Sequence, residues 1–178
     1  MYTYCVFCET QKCKIIASQA EQLFDCRAIH PKQEQIKWVK REAVRETHDL
    51  LPGYIFLYTR EAIAQPRLLY RIPGVIRCLS DQDHRYILQG KDEAFALMLL
   101  EKDGVIGKTR VYREGEMIRL CDGAYAGLET RILRVDHRSM RMQIQIPFGG
   151  MQVKTWVEYE MVKDAQGAEE GTQEKKDV

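Results

Sequence analysis

The spacing of apolar residues changes near residues 103–112, and this change constrains the fold more than any other feature of the sequence. Upstream of it, apolar residues recur at helical spacing or in short continuous runs, whereas downstream they alternate with a period of two. Gly104 and Gly107 interrupt an apolar helical run at the transition. We therefore place a linker at residues 105–111, between two small domains in a chain of 178 residues.

The N-terminal part, residues 1–104, mixes strand and helix patterns. The pattern predicts strands at Thr3–Phe7, Cys26–His30, Tyr54–Tyr58 and Val75–Leu79, and helices at Gln11–Phe24, Ala62–Tyr70 and Lys91–Lys102. The polar segment 32–49 between them is predicted to be an exposed hairpin or loop, because Trp38 and Val39 are its main large apolar residues. This order predicts an α+β sandwich, with helices covering one or both faces of a small sheet.

The C-terminal part is predicted to be a small β-barrel over residues 112–163. Four short alternating segments mark its strands, at residues 117–120, 132–135, 142–146 and 153–157. Short antiparallel strands joined by tight turns within about 50 residues are typical of small barrels. Residues 164–178 contain no aromatic residue and are predicted to form a disordered acidic tail.

Charge and termini restrict the class of protein. The net charge is +1, so a strongly basic surface over the whole chain is excluded, although residues 105–163 carry 10 Lys/Arg against 7 Asp/Glu. The N-terminus lacks the regions of an export signal, and no apolar run approaches the roughly 18 residues of a membrane span. We expect a cytoplasmic monomer that does not bind membranes.

The cysteines are the residues that could bind a metal ion. Cys5, Cys8 and Cys13, followed by Cys26 and His30, have the side chains that bind Zn²⁺, but their spacing is not that of a paired CxxC site. We interpret them as buried or half-buried thiols and expect no cofactor, with a thiol-metal redox protein as an alternative. The sequence contains no phosphate-binding glycine loop, HExxH or GxSxG motif, so we do not expect an enzyme.

Two sets of residues resemble known modules. The stretch from Gly115 to Gly127 resembles the KOW motif, with Gly123 and Gly127 at positions where tight turns need positive φ. Three upstream segments resemble the NGN domain: Tyr4-Cys5-Val6-Phe7, Leu51-Pro52-Gly53-Tyr54-Ile55-Phe56 and Ile72-Pro73-Gly74-Val75. Together the resemblances cover residues 2–163, in the order found in the NusG family. They imply an NGN α/β sandwich with an antiparallel sheet over residues 1–104, followed by an SH3-like KOW β-barrel over residues 112–163.

The chain differs from housekeeping members of this family. Thr3 stands where the family usually has Trp, the first helix starts at Gln11-Lys12 without the usual Gly, and the chain has six cysteines. It is more similar to specialised paralogs of the LoaP and RfaH type. The strict alternation of Met142, Ile144 and Ile146 favours a permanent barrel over one that refolds.

The resemblance implies a transcription elongation and processive antitermination factor whose NGN domain binds the clamp helices of RNA polymerase. Phe7, Leu51, Tyr54 and Phe56 match the positions that form an exposed apolar groove for a partner helix. A role in the core is the alternative for Phe7 and Phe56. A KOW-containing, ribosome-associated RNA-binding protein is the alternative function, but such a protein has no need of an NGN domain.

Basic residues form three candidate nucleic-acid sites. Lys37, Lys40 and Arg41 would face upstream DNA, Arg67 and Arg71 non-template DNA, and Arg131, Arg134, Arg138 and Arg141 a nascent RNA hairpin. Tyr125 and His137 lie in predicted turns, where their rings would be available for stacking on bases. Ordinary solvated surfaces are the alternative at each site. For the barrel, a termination factor or the ribosome is a competing partner.

Overall fold

The computed structural model describes residues 1–40, 42–81, 83–115, 117–121, 125 and 130–162, and the side chains of residues 36–39, 43 and 117 lie outside this description. The described residues form a mixed α/β fold with three sheets. No helix among them has both the length and the apolar character needed to cross a membrane.

The elements of the N-terminal unit run from residue 2 to residue 106. In chain order they are β1 (Tyr2–Cys8), a 3₁₀ helix (Thr10–Lys12), α1 (Cys13–Leu23), β2 (Cys26–Ile29), β3 (Lys32–Val39), β4 (Glu42–Asp49), β5 (Tyr54–Thr59), a second 3₁₀ helix (Pro66–Arg71), β6 (Val75–Cys78), α2 (Gly90–Glu101) and β7 (Val105–Ile106). The C-terminal unit contains β8 (Thr109–Glu114), β9 (Met117–Leu120), β10 (Arg131–Asp136), β11 (Arg141–Phe148) and β12 (Met151–Met161).

A four-stranded sheet with the order β2-β5-β1-β6 is the centre of the N-terminal unit. All of β5 is buried because helices cover both faces of this sheet. Ile55 and Leu57 pack in one cluster with α1, whereas Phe56 and Tyr58 face α2. The Tyr58 hydroxyl donates a 2.6 Å hydrogen bond to the carbonyl of Ala96, which fixes α2 over the sheet. A strand that is buried on both faces typically has a continuous apolar sequence, and β5 has one.

The polar segment 32–49 forms an antiparallel hairpin of β3 and β4, with Lys32 opposite Asp49. β7 adds to this hairpin in parallel, where Lys32 is opposite Val105. The hairpin therefore projects from the four-stranded sheet and is held at its base by the segment that leads into the C-terminal unit.

The C-terminal unit is a five-stranded sheet with the order β10-β11-β12-β8-β9, here called the C-terminal sheet. Alternate residues of β11 are buried, namely Met142, Ile144, Ile146 and Phe148. The period-two burial follows directly from the pleat of a strand with one face on a core.

Most of the predicted elements are confirmed, including the strand at Thr3–Phe7, the polar hairpin and the helix near Lys91–Lys102. The helix predicted at Ala62–Tyr70 is instead a 3₁₀ helix that begins at Pro66, where the missing N–H costs nothing. The predicted linker at 105–111 contains β7 and the start of β8. The predicted tail, residues 164–178, lies outside the described residues.

Candidate functional site

Phe7 and Tyr54 form an aromatic pair at the end of the four-stranded sheet. They are directly opposite each other in the pairing of β1 with β5, and their ring centroids are 5.0 Å apart. Gly53 makes this approach possible, because its φ is +84° and a Cβ there would lie 2.8 Å from both the Cys8 carbonyl oxygen and the Phe7 ring. The Leu51 side chain, in the preceding turn, is 1% exposed.

Phe148, at the end of β11, covers this aromatic face. Its ring centroid lies 5.3 Å from that of Phe56, 5.8 Å from that of Phe95 on α2 and 6.4 Å from that of Tyr54. The sequence predicts an exposed groove at Phe7, Leu51, Tyr54 and Phe56, but in this arrangement of the chain Leu51, Tyr54 and Phe56 are buried and Phe7 is half-buried. Phe56 is fully buried and Tyr54 is 7% exposed, because Phe148 of the C-terminal sheet packs on both rings.

Polar contacts fix the C-terminal sheet on the N-terminal unit. The Thr155 hydroxyl donates a 2.6 Å hydrogen bond to the Leu50 carbonyl, and the Gly149 N–H donates a 2.9 Å bond to a carboxylate oxygen of Asp92. Gly149 has a φ of +57°, and a Cβ at this position would overlap a methyl group of Leu79. The tight turn at the end of β11 is therefore part of the contact between the two units.

Asp92 is half-buried in this contact, and burial raises the pKa of its carboxyl group. A raised pKa means that the folded chain binds the proton more tightly than the unfolded chain does. Stability is therefore greatest when the carboxyl is protonated, and it decreases as pH rises through the raised pKa. The ionised carboxylate still accepts the Gly149 N–H, and this bond opposes the effect of burial.

We predict that Asp92→Asn increases the free energy of unfolding at neutral pH, because the amide keeps an acceptor for Gly149 and removes the buried charge. The difference from the parent chain should shrink as pH falls through the raised pKa of Asp92, since both side chains are then neutral. Urea unfolding at a series of pH values measures this. A difference that is the same at every pH would contradict the assignment.

Tyr125 lies in the same contact. Its ring is 1% exposed and its centroid is 6.4 Å from that of Phe95. Burial raises the pKa of its hydroxyl, which has no hydrogen-bond partner among the described residues. The prediction that the Tyr125 ring is available for stacking is therefore wrong in this arrangement, because the ring packs against α2.

The basic residues of the C-terminal sheet remain accessible. Arg131, Arg134 and Arg138 are exposed, whereas Arg141 is half-buried with its Nε 3.7 Å from a Glu158 carboxylate oxygen. The turn between β10 and β11 is held by Asp136. This carboxylate accepts hydrogen bonds from Ser139 and from the Arg138 N–H, which lower its pKa.

The other predicted cations fall partly outside the description. Arg67 and Arg71 are exposed on the second 3₁₀ helix, and Lys40 is exposed at the tip of the hairpin with a φ of +51°. The Lys37 side chain and Arg41 lie outside the described residues. The structure therefore places three of these five cations on accessible surface.

The thiols of the N-terminal unit lie in hydrophobic surroundings. The Cys8 and Cys13 sulfur atoms are 3.6 Å apart, and burial raises the pKa of Cys8 to about 12. Burial also raises the pKa of Cys78 to about 12. The Cys8 and Cys78 thiols are therefore protonated at neutral pH. Within the described part of the chain, no three His, Cys, Asp or Glu side chains are grouped to hold a metal ion.

Three residues that matter here were not singled out from the sequence: Phe148, Asp92 and Trp156. The alternation of β11 continues to Phe148 and would have placed its ring on the buried face. Asp92 lies in the first turn of α2, where acidic residues are common, so its sequence position suggests a different role. The alternation of residues 153–157 would have placed Trp156 on the face opposite Thr155 and Val157, where it is 41% exposed.

A comparison with protein-family models found no match. Among curated proteins, the chain is 21% identical over 148 residues to the transcription termination/antitermination protein NusG of Buchnera aphidicola subsp. Acyrthosiphon pisum (strain APS), which covers 82% of this chain and 81% of that protein. A solved structure, "Domain interaction in Thermotoga maritima NusG", matches with a TM-score of 0.52 and 13% identity over 88% of this chain and 93% of that one. The sequence and the fold of this chain are therefore NusG-like.

Proposed function

We propose that the chain is a non-catalytic transcription elongation and processive antitermination factor that acts in the cytoplasm. The N-terminal unit, as an NGN domain, binds the clamp helices of RNA polymerase through Phe7, Leu51, Tyr54 and Phe56. The observation that carries this proposal is the aromatic face itself, which is covered here by Phe148 of the C-terminal sheet. The similarity to a protein named for transcription termination and antitermination supports it.

Polymerase binding requires the C-terminal sheet, a KOW domain in this proposal, to move away from that face. Phe148 and a polymerase helix would contact the same side chains of Tyr54 and Phe56. The packed arrangement and the polymerase-bound one therefore exclude each other, and the measured affinity depends on how often the two units separate.

A specialised paralog of the LoaP and RfaH type fits the residues better than a housekeeping factor. Thr3 stands where the family usually has Trp. Its side chain is fully buried in β1, so burial limits the space for a larger side chain at this position. Such paralogs act on few operons, so the proposal includes a recognition element in DNA or nascent RNA.

The exposed cations supply nucleic-acid contacts in this proposal. Lys37, Lys40 and Arg41 face upstream DNA, and Arg67 and Arg71 face the non-template strand. On the C-terminal sheet, Arg131, Arg134, Arg138 and Arg141 contact RNA. Contacts of cations with phosphates give affinity without sequence preference and weaken as salt increases.

Co-purification of the full chain with RNA polymerase, followed by transcription across a terminator in the leader of its own operon, tests the function. We expect polymerase to be retained and read-through to rise. The proposal is wrong if a folded chain neither binds polymerase nor changes read-through. If the chain binds polymerase without changing read-through, antitermination is excluded and only an elongation role is left.

We predict that replacing Lys37, Lys40 and Arg41 by Ser weakens retention on a DNA-containing elongation complex more at low salt than at high salt. Each lost phosphate contact should reduce the slope of log K against log salt by about 0.9. Lys14→Ser is the matched control, because Lys14 is an exposed cation on α1. An equal loss at every salt concentration would argue against phosphate contacts.

A further inference from the structure

A cleft of about 480 Å³ separates the β3–β4 hairpin from the outer face of the C-terminal sheet. One wall carries Gln33 and Gln35 of β3, and the other carries Lys154 and Trp156 of β12. The hydrogen bond from Thr155 to Leu50 holds the two walls together at the base. This volume lies in the roughly 300–1,000 Å³ range of sites that hold small ligands.

The wall formed by β3 contains polar atoms that have no partner. Gln33 is 6% exposed, and its side-chain nitrogen is buried without a hydrogen-bond partner in the described part of the chain. The side-chain oxygen of Gln35, two residues along on the same face of β3, is also buried and unpaired. Buried polar groups are nearly always hydrogen-bonded, since an unmade bond is costly. A donor and an acceptor left together point to a ligand that offers both.

Trp156 provides an aromatic surface in the same cleft. Its side chain is 41% exposed, which is unusual for the largest apolar residue, and it lies opposite Gln143 on the outer face of the sheet. It also borders a second hollow of about 460 Å³ together with Arg134 and His137. An exposed indole between two hollows can stack against a flat ring.

The charges in the cleft leave a cation for an anionic group. Asp49 forms an ion pair with Lys32 and lies 3.6 Å from His30, and Glu158 faces Arg141 at 3.7 Å. Both carboxylates of the cleft are therefore already opposite cations. Lys154 is exposed beside Trp156 and has no ion-pair partner among the side chains that the structure describes.

We propose that this cleft binds an unpaired nucleotide of a single-stranded nucleic acid. The base stacks on Trp156, its hydrogen-bonding edge meets the side-chain amides of Gln33 and Gln35, and Lys154 contacts a phosphate. A base inside a duplex cannot enter, because it is already stacked on both sides and its edge is paired. The inference rests on the proposed function and deepens it by assigning a nucleic-acid contact to a specific cleft. Because one wall belongs to the N-terminal unit and the other to the C-terminal sheet, the nucleotide binds the packed arrangement, from which polymerase is excluded.

Fluorescence of the full chain carrying Trp38→Phe tests the cleft directly, because Trp156 is then the one tryptophan left of two. We expect an eight-nucleotide single strand to quench this fluorescence and a duplex of the same sequence to bind at least tenfold more weakly. Parallel RNA and DNA strands identify which nucleic acid is preferred. No quenching up to about 100 μM strand, the weak end of non-specific binding, would overturn the proposal.

Variants separate stacking from charge, with anisotropy of a labelled strand as the readout. Trp156→Leu should weaken binding about tenfold, within the range measured for single base-aromatic stacks, whereas Trp156→Phe should retain most of the affinity. Gln33→Leu should weaken binding while leaving the thermal midpoint unchanged or higher, because it removes an unpaired buried amide. A lower midpoint or unchanged binding in Gln33→Leu would contradict its role.

Lys154→Gln and Lys14→Gln form a matched pair of charge variants. Only the first should weaken strand binding, since Lys14 is on α1 and does not line the cleft. Equal losses in the two would overturn the role of Lys154.

Co-purification of Trp156→Leu with RNA polymerase is measured in parallel and should match the parent chain. Failure of polymerase binding in all variants would refute the proposed function and leave the strand-binding result intact.

Discussion

Phe148→Ala is expected to raise the affinity of the full chain for RNA polymerase by about tenfold or more. The Phe148 ring packs on Phe56, Phe95 and Tyr54 at the centre of the contact between the two units. Truncation of such an anchor costs about 2 kcal/mol or more of interface free energy. The separated arrangement then becomes more populated, and the apparent affinity rises with that population. Binding of the fluorescently labelled chain to polymerase measures the change.

Two further variants make this result interpretable. Leu133→Ala truncates a side chain that is 43% exposed on β10 and should leave polymerase binding unchanged. Gly149→Ala should act in the same direction as Phe148→Ala, because the new Cβ would meet Leu79 and the backbone φ of +57° disfavours a side chain. If both interface variants fold and neither binds polymerase more tightly, the cover over the aromatic face does not limit binding.

The sequence predicts the N-terminal sheet well where burial is complete. Tyr54–Thr59 is a continuous run of aromatic and branched residues after a Pro-Gly turn, and this pattern leaves few alternatives to a central strand. The hairpin at residues 32–49 was also predicted, because few of its residues are large and apolar. The pattern of apolar and polar residues within each segment determines these elements, so that pattern is sufficient to predict them.

β8 shows where pattern is insufficient. It follows a segment rich in Gly and Lys, and part of it pairs in parallel with β12, through Tyr159 opposite Thr109. A parallel partner about 50 residues away leaves no turn signal near the strand. The same holds for β7, which is two residues long and is ordered by its pairing with β3.

The sequence suggests candidate residues for the site but does not reveal that another part of the chain covers them. The sequence predicts that Tyr54 and Phe56 form a docking surface, but the residues around them in the sequence do not indicate that Phe148 covers them. Tyr125 was placed in a turn, and a turn residue is ordinarily exposed. Its burial depends on α2, a contact between units that periodicity within either unit cannot reveal.

Phe56→Ala is expected to lower the free energy of unfolding by about 3–5 kcal/mol, the usual cost of truncating a buried Phe. Phe56 is fully buried and contacts both Phe95 of α2 and Phe148 of β11. Separation of the two units removes only the second contact, so the ring remains packed against α2. Urea unfolding of the full chain measures the loss, which is a large part of the stability of an ordinary domain.

Ile76→Ala on β6 of the same sheet is the control for this loss, because Ile76 is 54% exposed and its truncation should cost well under about 1 kcal/mol. The joint variant Phe7→Ala with Tyr54→Ala, made in the Phe148→Ala chain, should remain folded and lose polymerase binding. These rings lie at the end of the sheet, where departure of Phe148 leaves them accessible. Phe56 would then stabilise the fold through Phe95 as well as contact the polymerase, whereas Phe7 and Tyr54 would serve polymerase binding alone. If Phe56→Ala were no more destabilising than Ile76→Ala, or if the joint variant bound polymerase normally, this division of roles would be wrong.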